Sequence, residues 1–148
     1  MNTQTSQQTV RLVRTIGATR ETVFAALTEP DQLRRWSAPE GFDVGAAEVD
    51  LRVGGAYRIR MNAPDGSIHT AYGTYREITR PERLVYSWQW EDSPDSAIGE
   101  TLVTIELREA DGGTELTLTH TGFPSEDTRS SHDEGWTSCF NRLQAMFA

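Results

Sequence analysis

Three histidines, a single cysteine and a run of acids are the side chains that could do chemistry at neutral pH. An imidazole can serve as a general acid or base, or as a metal ligand. His69, His120 and His132 stand at no ligand-like spacing with one another, with Cys139 or with carboxylates on one helix face, so no metal is expected. The string Ser131-His132-Asp133 has the composition of a catalytic triad, but adjacent residues on a helix point in different directions and cannot assemble one. Cys139 reads as a small buried hydrophobe, because no base is placed beside it by the sequence. Glu91, Asp92, Asp95 and Glu100 crowd the segment EDSPDSAIGE without the alternating oxygen donors and closing glutamate of a calcium loop; it reads as a solvated rim loop.

That leaves the imidazoles themselves and the indoles. His120 shares the covered face of its strand with Leu118, and two readings stay open: a hydrogen-bonded core group, or a titratable group on a pocket wall. His132 falls one helical turn before Trp136, as a half-exposed residue near a helix start or as part of a pocket. His69 follows a hairpin and is expected in solvent. Trp36, in LRRWSAPEGF, ends a short helix just ahead of a proline and glycine break, where it either plugs a core or guards an opening.

The elements that must position these residues follow from periodicity. VRLVRTIG, from Val10 to Gly17, is short, rich in β-branched residues and closed by glycine, which predicts a strand. Thr19 caps a helix through Val23, Phe24 and Leu27, and TEPDQLRRW starts a second with Pro30 in the first turn and Asp31 at the positive end of the dipole. From Val44 to Thr121 six strand-like pieces alternate with turns: AAEVDLRV, AYRIRM, SIHTAYGTYREI, RLVYSWQW, TLVTIELRE and TELTLTH. The period of two sets Tyr57, Ile59 and Met61 against Arg58 and Arg60, and Leu116, Leu118 and His120 against Thr117, Thr119 and Thr121. Tyr86, Trp88 and Trp90 share another face, as core or as pocket wall. Trp136, Cys139, Phe140, Leu143, Met146 and Phe147 recur at three- and four-residue steps and form one face of a long terminal helix. Ser131 with Glu134 forms a possible capping box for it, and Ser125 in FPSED offers an earlier start.

Composition bounds the partners. The 148 residues suit one domain, residues 10 to 148, behind a disordered polar tail at residues 1 to 9. Fourteen basic against 22 acidic residues give a formal charge of -8, with a pI near 4.8 and no basic track for phosphates, so nucleic acid is not an expected partner. No apolar run approaches the roughly 20 residues that span a bilayer, and the beginning MNTQTSQQT lacks the features of a signal peptide. A protein free of membranes, in the cytoplasm, is the expectation, as monomer or homodimer.

The order of strand, two short helices, six strands and long terminal helix resembles the helix-grip fold of the START-like superfamily, also called SRPBCC or birch-pollen-allergen proteins. Within it, RTIGATRETVFAALTEPDQLRRW resembles the opening of the activator of Hsp90 ATPase homologue family. Arg14, Ala18, Val23, Phe24, Ala26, Leu27, Thr28, Pro30, Leu33 and Trp36 occupy its pattern. VDLRVGGAYRIRM, Gly73, PERLVYSW and Gly135-Trp136 match further on. Ser37 departs from it, standing where the family often has a second Trp or a Gly.

The resemblance implies an α+β fold, a seven-stranded curved antiparallel sheet wrapped around the terminal helix, with a hollow between them. A small apolar or aromatic ligand would occupy that hollow, and Trp36, Tyr57, Ile59, Met61, Tyr86, Trp88, Leu118, His120, His132, Trp136 and Phe140 are the ligand-binding candidates. No cofactor and no catalytic residue are assigned. Two other classes stay open. One is a cyclase-like or hydrolase-like enzyme using His120 or His132 as general acid or base, whose signature would be an inward carboxylate beside the imidazole. The other is a chaperone-related interaction protein of stress response, as the family name implies, which would need an exposed apolar patch.

Overall fold

Glycine, proline and capping residues divide the chain almost where the sequence predicts. The computed structural model describes residues 8–91 and 94–148. Most of the expected polar tail, and Asp92, lie outside them. The first strand, β1 (Val10–Ile16), is followed by helix α1 (Arg20–Thr28), whose N-cap Thr19 accepts a hydrogen bond from Thr22 N. Glu29 ends α1 and begins α2 (Pro30–Trp36), with Pro30 at the helix start. Six strands follow: β2 (Asp43–Val49), β3 (Ala56–Asn62), β4 (Ile68–Thr79), β5 (Arg83–Glu91), β6 (Thr101–Ala110) and β7 (Gly113–Thr121). The last element, α3, runs over Glu126–Met146.

The strands form one seven-stranded antiparallel sheet in the order β1-β7-β6-β5-β4-β3-β2, curled around α3. This is the helix-grip architecture, and it is α+β. Register fixes the inward face. Tyr57, Ile59 and Met61 on β3 pair with Gly73, Ala71 and His69 on β4. Tyr86 on β5 lies opposite Tyr75 on one side and Val103 on the other, and Trp88 opposite Thr101. Val103, Ile105 and Leu107 on β6 pair with His120, Leu118 and Leu116 on β7. These residues alternate with a wet outer face, where arginines meet glutamates across strands: Arg58 with Glu91 at 2.8 Å, Arg83 with Glu106 at 2.6 Å and Arg108 with Glu115 at 2.8 Å. Exposed pairs of this kind contribute little individually, at most about 1 kcal/mol each.

Of the two starts that the sequence offers for the terminal helix, the earlier is used: Ser125 is its N-cap and accepts from Thr128 N at 3.2 Å, and Glu126 and Asp127 place negative charge at the positive end of the dipole. The expected box of Ser131 and Glu134 lies inside the helix. The second strand covers Asp43–Val49, and Asp50 to Gly55 make a turn closed by Gly55 N to Arg52 O at 2.8 Å. The acidic segment contains a 3-10 turn at Pro94–Ile98.

Helix α3 buries Trp136, Cys139, Phe140 and Leu143 against the sheet and against α2. Phe140 is fully buried and its ring meets Trp36 at 6.0 Å and Trp136 at 5.5 Å between centroids. Phe140→Ala is expected to destabilise the protein by about 3 to 5 kcal/mol, the range for truncating a packed aromatic ring. Denaturant melts measure it. A loss under about 1 kcal/mol would show that this ring does not seat α3.

Candidate functional site

The inward face of β3, β4 and β5 carries large flat rings, and α3 crosses above them without filling the space between. The result is a cavity of about 220 Å³ lined by Leu27, Leu33, Trp36, Ser37, Pro39, Phe42, Tyr57, Ile59, Met61, His69, Tyr75, Tyr86, Trp88, Trp90, Ser131, His132, Gly135, Trp136 and Cys139. None of the lining residues is Lys, Arg, Asp or Glu. Of the sequence candidates, Trp36, Tyr57, Ile59, Met61, Tyr86, Trp88, His132 and Trp136 come together there. Leu118, His120 and Phe140 are fully buried and stand behind the lining.

Trp36 is a wall residue. It is 2% exposed, and its indole N–H donates to Ala26 O at 2.8 Å, satisfying a carbonyl in the last turn of α1. The mouth adds Phe42 and His69, which the sequence reading left outside the pocket, to Trp90 and His132. Phe42, His69, Trp90 and His132 are half-buried and form an arc of rings, with centroids 6.2 Å, 6.5 Å and 5.9 Å apart in that order. His69 therefore lines the cavity edge, contrary to its expected place in solvent; the register sets it opposite Met61 on the inward face. The segment after α2, which carries Pro39 and Phe42, is strapped to α3. Arg142 Nη1 donates to Ala38 O at 2.6 Å, with Pro39 O and Phe42 O at 3.3 and 3.4 Å, and Glu40 N donates to Ser138 Oγ at 2.7 Å.

The two inner histidines are held by indoles. Trp136 Nε1 donates to His120 Nδ1 at 2.9 Å, so a neutral His120 carries its proton on Nε2. That nitrogen lies 2.7 Å from Thr101 Oγ1, which itself donates to Trp88 O at 2.9 Å. Burial, and secondarily the neighbouring His132, holds the His120 pKa well below its ordinary value. Trp90 Nε1 donates to His132 Nε2 at 3.0 Å, and His132 Nδ1 then donates to Thr128 O at 2.8 Å. Both imidazoles use both nitrogens within the protein. Cys139 is buried and its thiol is pushed up to about 12 by that burial, which leaves it protonated and weakly nucleophilic.

The tyrosines are arranged differently. Tyr57, Tyr75 and Tyr86 pack with ring centroids 5.1 to 5.9 Å apart. Tyr57 donates its hydroxyl to Ser87 O at 2.6 Å, an approach left open because position 73 is glycine; a Cβ there would lie 2.1 Å from that same oxygen. Neither Tyr75 nor Tyr86 gives its hydroxyl to any acceptor among the described residues. Trp88 Nε1 is, among those residues, the one buried side-chain nitrogen or oxygen with no hydrogen-bond partner. Its indole packs against Trp90, Trp136 and His120.

Residues 17–148 match the family described as Activator of Hsp90 ATPase homolog 1-like protein. The chain belongs to this family. Solved structures agree with that membership. A protein of Chromobacterium violaceum is 32% identical, with TM-score 0.86 over 95% of this chain and 96% of its own. The AHSA1 protein of Silicibacter pomeroyi is 27% identical, with TM-score 0.83 over 93% of this chain and 96% of its own. A protein of Nitrosomonas europaea is 25% identical, with TM-score 0.79 over 95% and 94%. No curated protein matches the sequence. Among the described residues of this member of the Activator of Hsp90 ATPase homolog 1-like family, no helix is long and apolar enough to cross a membrane, and no group of three or more His, Cys, Asp and Glu could hold a metal ion.

The depressed pKa of His120 has a measurable consequence. Above pH 6.5 neither the folded nor the unfolded chain protonates this group. Below pH 6.5 the unfolded chain binds a proton that the native state refuses, so stability falls with pH, by up to about 1.4 kcal/mol per pH unit. Urea melts from pH 6.5 down to 5.5 should show this slope, and His120→Gln should flatten it by close to one proton. Equal slopes in the two proteins would mean that His120 titrates natively in the folded state.

Proposed function

We propose that this chain is a small-molecule-binding module whose cavity takes an apolar or aromatic ligand. The observation that carries the reading is the ring-lined cavity between α3 and the inward face of β3, β4 and β5. An apolar guest in this space of about 220 Å³ removes from water ring surface that otherwise faces solvent. A fold that keeps such a space gains from an occupant.

Gly135 supports the same reading. It lies in the interior of α3 and lines the cavity, and a Cβ built there would meet nothing within 4 Å. Glycine in a helix interior is about 1 kcal/mol worse than alanine. No crowding explains it, so the stability conceded here coincides with space kept open. The histidines favour binding over acid–base catalysis: His120 stands behind the wall, His132 has both nitrogens engaged, and no carboxylate is found among the lining residues.

Naphthalene is a suitable first probe. It should bind saturably by calorimetry with one site per chain, and at a hundredfold excess over Kd it should stabilise the fold by about 2.7 kcal/mol. Gly135→Ala should raise stability by up to about 1 kcal/mol, and Gly135→Leu, which projects a side chain into the cavity, should abolish probe binding while the protein stays folded. Undiminished naphthalene affinity in Gly135→Leu would place the probe elsewhere, and no saturable binding to the unaltered protein would remove the proposal.

A further inference from the structure

We infer that the occupant is a neutral aromatic molecule of one or two rings bearing a hydrogen-bond-accepting oxygen, and that the hydroxyls of Tyr75 and Tyr86 receive that oxygen. This deepens the proposed function and rests on the cavity being a binding site.

Size sets the first limit. A cavity of roughly 150 Å³ in a protein core takes benzene, and this one is about 220 Å³. One substituted ring or two fused rings fit it. Shape sets the second, since the walls are flat indoles and phenols. Trp88 and Trp136 lie 5.2 Å apart at 45°, and Tyr57 and Tyr86 5.1 Å apart at 49°, leaving tilted faces for offset or edge-to-face contact with a planar guest.

Polarity sets the third limit. Tyr57, Tyr75 and Tyr86 form one cluster at the cavity wall, yet only Tyr57 directs its hydroxyl to a described protein acceptor. Tyr75 and Tyr86 line the same space with hydroxyls that donate to none. Burial holds the Tyr75 and Tyr86 pKa values well above the ordinary phenol, so both keep their protons and stay donors. Donors on a cavity wall with no protein acceptor favour a guest that supplies lone pairs.

Charge sets the last limit. An anion would enter a space with no Arg or Lys on its walls, in a chain of formal charge -8. A quaternary ammonium ion suits aromatic walls, but it would leave every unused donor facing positive charge. A carbonyl oxygen on an aromatic frame answers size, shape, donors and neutrality together.

Four naphthalenes of matched shape test this by calorimetry: 2-acetylnaphthalene, 2-ethylnaphthalene, 2-naphthoate and trimethyl(2-naphthyl)ammonium. The ketone is expected to bind about tenfold tighter than the ethyl compound, and both ions more weakly than the ketone. Tyr86→Phe and Tyr75→Phe should each reduce the ratio of ketone to ethyl affinity several-fold, while Tyr72→Phe, on the outer face of β4, should leave the ratio unchanged. The two inner variants are read separately, so one that fails to fold leaves the other to decide. Equal binding of ketone and ethyl compound would overturn the inference while leaving the cavity as an apolar site. Tightest binding of either ion would overturn it in favour of charge recognition. Binding by none of the four would overturn the proposed function itself.

Discussion

The hydrogen bond from Trp136 to His120 fixes how α3 sits on the sheet. It begins a relay in which Trp136 Nε1 donates to His120, His120 meets Thr101, and Thr101 donates to the carbonyl of Trp88, so that α3, β7, β6 and β5 are joined in sequence. Each link is buried, where an unmade bond costs more than a made one contributes. The relay admits one tautomer of a neutral imidazole and therefore one orientation of the Trp136 indole. With α3 tied to β7 on one side and to the segment after α2 through Arg142 on the other, the helix cannot settle onto β3 and β4. The open space is a consequence of where these two ties lie.

Rings keep that space from collapsing. Trp88 meets Trp90 at 90° and His120 at 73°, and Tyr75 meets Tyr86 at 75°, so neighbouring planes brace one another. Aromatic side chains have few rotatable bonds and interact best in such edge-to-face contacts. Gly73 contributes by allowing β4 and β5 to approach until Tyr57 can bond Ser87 O, which locks one phenol and leaves two with unused donors. Polar capacity in the cavity is thus set by how closely the backbones of β4 and β5 approach.

Much of this was legible in the sequence, for identifiable reasons. Period two placed Tyr57, Ile59 and Met61 on the inward face, and three- and four-residue steps gave the buried face of α3, because both patterns depend only on local geometry. Parity assigns a face and says nothing of depth. His120 and Tyr57 both face inward, but the curl of the sheet puts β7 beneath packed side chains and β3 beside the hollow. His69 needed the pairing Met61 to His69, a long-range fact, before its exposure could be judged. Tyr75 shares a face with His69 and Ala71 in SIHTAYGTYREI, so alternation alone assigns it to the inward face. Phe42 lies outside any periodic element, and only the Arg142 strap explains its place at the mouth.

The ion pairs of the outer face share one chemical property that extends to the interior. Their basic members are all arginine, and the chain contains no lysine. Guanidinium stays charged at any pH the fold survives, so these pairs do not titrate away in alkali. It also means that no side-chain amine exists to condense with a carbonyl. An aldehyde or ketone entering the cavity meets phenols, indoles and a protonated thiol, and finds no lysine with which to form an imine. Any hold on such a guest through a Schiff base is thereby ruled out, and its residence rests on non-covalent contacts with the rings.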